Sequence, residues 1–203
     1  NLFYLVHGPE EGSPFDCAQL RIALLPHIRA LVDFASELNA PLITAHFWLD
    51  RRYIAPPVLH DKLSMLEEML LFAHEKQISF CLENLSERAC DFEPAFRLFP
   101  DLGMTLDIGH GELLSPENTA YGFIETFPDR IRHIHIHDNR GGNTPADDLH
   151  LPLGDGSINF PPILAALVQS GYNGSITLEV PSSLFVQQRE KLLSMLRSAQ
   201  NGG

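Results

Sequence analysis

Six short apolar runs in this chain carry, at their last or last-but-one position, a residue able to bind a metal ion or carry a proton. They are Leu2–His7, Pro41–His46, Ile78–Glu83, Leu102–Asp107, Ile131–His137 and Ser175–Val180. Each is about 4–8 residues long and rich in branched or aromatic side chains, the signature of strands buried on both faces. Between them lie stretches with apolar residues at helical spacing: Ala18–Leu38, Lys62–Glu75, Phe92–Leu98, Thr119–Phe127, Pro161–Ser170 and Leu184–Arg197. In the first, Leu20, Ala23, Leu24, His27, Ile28, Leu31 and Phe34 define one face. The alternation predicts an α/β fold with a parallel sheet.

The strand ends are His7, His46, Glu83, Asp107, the pair His135 and His137, and Glu179. One polar strand end is easily structural. Six in a row, all His, Asp or Glu, point to a metal site at the mouth of a barrel, where the C-terminal ends of parallel strands converge. Six βα units cannot close an eight-stranded barrel, and 203 residues fall short of the usual length of about 250. The expectation is therefore a TIM (β/α)8 barrel with about two N-terminal strands outside this sequence. An open six-stranded sheet is the weaker alternative. No linker or low-complexity tract interrupts the chain, so residues 1–203 read as a single domain.

Charge narrows the function classes. Lys and Arg number 14 against 26 Asp and Glu, a net charge of −12. Nucleic-acid affinity rests on Lys and Arg neutralising phosphates, so a polyanionic partner is not expected. No apolar run is long enough to span a membrane. Three cysteines without metal-type pairing suit a reducing cytoplasm.

The ligand candidates fall in short motifs. Asp107-Ile-Gly-His110 sets a carboxylate at a strand end and an imidazole in the loop beyond. His135-Ile-His137-Asp138 puts two imidazoles on one strand face, and Asp148-Leu-His150 repeats that spacing. Mixed imidazole and carboxylate donors suit Zn, Mn, Co or Fe better than Ca.

With Val6-His7, Thr44-Ala-His46, Leu82-Glu83-Asn84 and Leu178-Glu179-Val180, these motifs resemble, in order, the xylose-isomerase-like TIM-barrel superfamily of sugar isomerases and epimerases. That superfamily also includes the endonuclease IV class of abasic-site nucleases. The resemblance implies a one-metal core of Glu83, Asp107, His135 and Glu179. In it Glu83 and Glu179 double as an acid/base pair on opposite faces of a small sugar or polyol, by way of a metal-stabilised enediolate. His110 and Arg140 would hold substrate oxygens. In the nuclease branch three zinc ions are held, and the further ligands match His7, His46, His110, Asp148 and His150. These five are read here as additional metal or substrate-binding residues.

A divalent-metal sugar isomerase or epimerase is thus the leading expectation, with one Mn, Zn or Co ion and up to three allowed for. The alternative is endonuclease IV-like cleavage of DNA at abasic sites. The phosphate-repelling charge and the Phe-Trp-Leu-Asp segment after His46 speak against it. His137 reads as a supporting or core histidine, and His27, His60 and His133 receive no role. Trp48 could wall the pocket with an apolar face, and Gly141-Gly142 suggests a mobile loop over the mouth. Barrels of this kind often dimerise, so a homodimer is allowed for.

Overall fold

The computed structural model describes residues 3–201. Six strands and six α-helices alternate: β1 (Val6–His7), α1 (Cys17–Glu37), β2 (Leu42–His46), α2 (Pro56–Glu75), β3 (Ser79–Glu83), α3 (Ala89–Leu98), β4 (Gly103–Asp107), α4 (Ala120–Thr126), β5 (Ile131–Ile136), α5 (Phe160–Gln169), β6 (Ser175–Leu178) and α6 (Phe185–Asn201). Strands neighbour one another in chain order from β1 to β6. Pairing is parallel at β1/β2, β2/β3 and β5/β6. The order never reverses, so the sheet lacks the switch point of doubly wound folds and has the winding of a βα barrel.

The chain packs as two compact units, residues up to 83 with 90–104, and residues 84–89 with 105 onward. In the first, α1 turns Leu20, Leu24, Ile28, Val32 and Ala35 inward, and α2 turns in Met65, Leu66, Met69 and Ala73; Ile43 and Phe80 of the strands are buried too. In the second, Leu106, Ile134 and Ile136 of the strands are buried, as are Phe123 of α4 and Phe160, Ile163, Leu164 and Leu167 of α5. Each of the Val, Leu, Ile, Met and Phe side chains among these contributes about 1.5–3 kcal/mol on burial. Asp16 caps α1 by accepting the Gln19 N–H at 3.0 Å.

The expected elements are all present, and the differences are local. Helix α2 begins at Pro56 rather than Lys62. Proline suits a first helical turn, where its missing N–H is not needed. Strand β1 is confined to Val6–His7; Leu2, where it was expected to begin, lies outside the described residues. Strands β5 and β6 end at Ile136 and Leu178, so His137 and Glu179 sit just past the strands.

Candidate metal centre

In the second unit the site is built outward from Asp107, the buried last residue of β4. Asn84 pins it from both sides: its Oδ1 accepts the Asp107 N–H at 2.9 Å, and its Nδ2 donates to the Asp107 carbonyl at 2.9 Å. Asp107 Oδ1 then accepts the His110 backbone N–H at 2.7 Å and fixes the turn that carries His110.

Three imidazoles share one arrangement. His110 Nδ1 lies 3.0 Å from the Asn84 carbonyl, and His150 Nδ1 lies 3.1 Å from the Glu179 carbonyl. His137 Nδ1 is 3.4 Å from the Asp138 carbonyl. A carbonyl can only accept, so each Nδ1 carries the hydrogen and each Nε2 faces inward. His110 and His150 both point Nε2 at Asp148 Oδ2, each at 3.1 Å. His137 Nε2 is buried, makes no hydrogen bond, and lies 3.3 Å from Asp107 Oδ1. The His137 and His150 rings stack in parallel, 4.0 Å apart at 11°. A neutral imidazole would set its Nε2 lone pair against a carboxylate, an opposition that only a proton or a cation relieves.

The ligand atoms of His110, His137, Asp148 and His150 lie within 4.8 Å of one another, as do those of Asp107, His137 and Glu179. His135 Nδ1 is 3.0 Å from Glu179 Oε1 and 3.9 Å from Asp107 Oδ2. His133, by contrast, bonds Ser175 Oγ at 2.8 Å and Thr177 Oγ1 at 2.9 Å, a structural histidine. Burial pushes the Asp148 carboxyl up, but hydrogen bonds from His110 and His150 outweigh it and hold the group well below the usual carboxylate range. The Asp148 hydrogen bond, opposed by burial, leaves His150 pushed up to about 9.

Two neighbouring residues, Asp138 and Asn139, hold the arm that carries Asp148 and His150. Buried Asp138 accepts four backbone N–H groups, from Asn139 (2.8 Å), Gly154 (2.7 Å), Gly156 (2.9 Å) and Ile158 (3.2 Å). Asn139 Nδ2 donates to Asp148 Oδ1 at 3.2 Å, which leaves Oδ2 to the two histidines. Gly109 is glycine for space: a Cβ there would run into the His137 ring.

The first unit repeats the arrangement. The β2/β3 register pairs His46 with Glu83. Glu83 is buried, and its Oε2 lies 2.9 Å from His7 Nε2 and 3.0 Å from His46 Nε2. His7 Nδ1 is 2.8 Å from the Gly8 carbonyl, which again turns Nε2 to the carboxylate.

Of the expected site residues, His7, His46 and Glu83 meet in the first unit, and Asp107, His110, His135, Asp148, His150 and Glu179 lie close together in the second. Arg140 is exposed and donates to the Asp155 carbonyl at 3.2 Å. Trp48 is half-buried and stacks on Tyr53. His137, expected as a supporting or core histidine, is buried within the same cluster. Asn84, although part of the Leu82-Glu83-Asn84 motif, and Asn139 were given no role from the sequence.

A family model described as xylose isomerase-like TIM barrel matches residues 5–199. The chain belongs to this family. It is 29% identical over 171 residues to the uncharacterized protein MJ1311 of Methanocaldococcus jannaschii, a match covering 75% of this chain and 55% of that one. It is 26% identical over 172 residues to the fructoselysine 3-epimerase of Shigella flexneri, covering 79% and 60%. The chain thus spans little more than half the length of these relatives. Among solved structures, a D-tagatose 3-epimerase-like protein superposes with a TM-score of 0.84 at 25% identity, over 100% of this chain and 80% of that one. The family and fold expected from the ordered motifs are those found.

Proposed function

We propose that this chain carries the active site of a divalent-metal-dependent sugar isomerase or epimerase acting on a small sugar or polyol. The observation that carries the reading is the inward Nε2 of His110, His137 and His150, each opposite a carboxylate and each with Nδ1 committed to a backbone carbonyl. This donor set fits Zn, Mn or Co. As the family resemblance implies, Asp107, His135 and Glu179, with Glu83, would form the main centre, and His110, His137, Asp148 and His150 could hold a further ion. Bound there, the ion would polarise the substrate carbonyl and stabilise negative charge on the neighbouring oxygens.

The chain's own residues do the rest. Glu179, half-buried with Oε1 on His135 Nδ1, is the carboxylate for one face of the substrate. Glu83 serves the other face; its support is the Leu82-Glu83-Asn84 motif and the shielding of its carboxylate from water. One carboxylate takes the proton from the carbon beside the carbonyl, and the other returns a proton from the opposite side, inverting that carbon. His110 and Arg140 hold substrate hydroxyls. The relatives named as 3-epimerases of sugars support the substrate class.

The test is proton exchange. In deuterium oxide, the metal-loaded protein should place deuterium on the carbon next to the carbonyl of D-tagatose or fructoselysine, followed by NMR. No exchange with either, or with a panel of ketoses, sinks the proposal.

One observation favours the second reading. All nine positions that match nuclease ligands are filled, and His110, Asp148 and His150 do converge. The net charge of −12 opposes binding to DNA phosphates, which keeps abasic-site cleavage in second place.

A further inference from the structure

One buried charge pair in the first unit has no part in the chemistry above. Lys62 of α2 is fully buried, which is rare for lysine. Its ammonium meets Glu11 Oε1 from the loop after β1 and lies 4.2 Å from the centroid of the Phe47 ring. The other oxygen, Glu11 Oε2, accepts the Trp48 backbone N–H at 2.8 Å. One carboxylate therefore ties together the loop after β1, the loop after β2 and helix α2.

Stability alone is a poor reason for such a pair. Withdrawing two charges from water costs several kcal/mol, and well-packed apolar replacements are often neutral or stabilising. What the pair supplies, and apolar side chains cannot, is an acceptor fixed in place for the Trp48 N–H.

The Trp48 loop carries an exposed aromatic group. Trp48 stacks on Tyr53 at 5.3 Å and 20°, with Phe15 edge-on at 5.9 Å and 77°. Tyr53 and Phe15 remain 48% and 54% exposed. A second clamp closes the far side: buried Asp50 accepts from Arg52 at 2.6, 3.0 and 3.1 Å, and the Arg52 guanidinium sits 5.4 Å from the Tyr53 ring. His46 ends β2 two residues before Trp48.

We propose that Glu11 is a positioning residue: held by Lys62, it fixes the Trp48 backbone so that Phe15, Trp48 and Tyr53 stand as a preformed shelf for the apolar face of the substrate sugar. The shelf's occupant rests on the sugar-enzyme reading; the hold on Trp48 does not. A shelf ordered before binding spares the substrate the cost of ordering it.

Trp48 is the chain's one tryptophan, so its fluorescence reports this loop alone. Two double variants separate acceptor from charge. E11L/K62M and E11Q/K62M both delete the ion pair, but only glutamine keeps an oxygen for the Trp48 N–H. Both should melt within about 4 °C of the parent protein. Acrylamide quenching of Trp48 should roughly double in E11L/K62M and stay near the parent value in E11Q/K62M. With D-tagatose as the probe, KM should rise about tenfold in E11L/K62M with kcat unchanged, and should hold in E11Q/K62M.

Equal quenching in the two doubles would overturn the proposal. So would a collapse of melting temperature in both, which would make the pair merely structural. If the parent protein does not turn over D-tagatose, the sugar reading fails for that ketose, and the quenching comparison still decides the hold on Trp48.

Discussion

His150 Nε2 lies 3.1 Å from Asp148 Oδ2 while the Nδ1 of the same ring donates to the Glu179 carbonyl at 3.1 Å. The residue adopts a φ of 45°, a left-handed backbone that non-glycine residues rarely take. Strain of that kind persists where the surroundings fix it. Here they do: Asp138 gathers the amides of the following loop and Asn139 steadies Asp148. The chain thus builds a carboxylate flanked by imidazoles that keep Nδ1 on a backbone carbonyl and turn Nε2 toward the carboxylate.

A pH dependence follows for protein stripped of metal. His150 is pushed up to about 9 from an ordinary 6.5 by its hydrogen bond to Asp148. A folded-state value above the unfolded one means that its contribution is complete below 6.5 and is lost as pH rises through about 9. Asp148 is shifted the other way, so its contribution is present above the ordinary 3.8 and is lost as pH falls below it. Melting temperature measured across pH should therefore fall on both sides, and His150→Gln should flatten the alkaline limb. An unchanged alkaline limb in that variant rules out His150 as its source.

Asp138 should be among the most sensitive positions in the second unit. Its carboxylate satisfies four backbone N–H groups. Asp138→Ala orphans them and should cost about 3 kcal/mol or more in urea unfolding. Asp138→Asn keeps one acceptor oxygen and should fall between. A cost under about 0.5 kcal/mol for the alanine variant would contradict the role.

Gly109→Ala tests the packing of His137. The added methyl meets the imidazole ring, and a displaced ring in a close-packed site should cost about 1–3 kcal/mol. The same variant should bind Co(II) more weakly and alter its visible absorption. Parent-like stability and spectrum together would mean that His137 neither fills that space nor ligates.

Glu83→Gln and Glu179→Gln should each abolish turnover of substrate with circular dichroism unchanged, while the variant that keeps the carboxylate facing the C–H bond can still exchange that proton with solvent. Carboxamides keep the shape but take no proton. Turnover at the parent rate in either variant removes that residue from the acid/base pair.

The barrel winding was legible because its causes are local. Runs such as Leu102–Leu106 are apolar or β-branched apart from one glycine and read as buried strand. The candidate site residues could be picked out because His, Asp and Glu recur at the ends of successive apolar runs, and parallel strands put their C-terminal ends on one face. The first turn of α2 could not, since Pro56–His60 lacks apolar periodicity and only the N-terminal tolerance of proline marks it. Residues acting through others were invisible. Asn84 reaches Asp107 across 23 positions, and Glu11 finds Lys62 across 51. No local pattern encodes a hydrogen bond between residues that only the fold makes neighbours.

The central claim is that the inward imidazoles and carboxylates hold a divalent cation. It is tested most directly by elemental mass spectrometry of protein purified without chelator, alongside an Asp107→Ala/His135→Ala double variant. The account predicts about one or more Zn, Mn or Co per chain, lost or sharply reduced in the double variant. No retained metal even after incubation with these ions, or equal metal in the double variant, would contradict it.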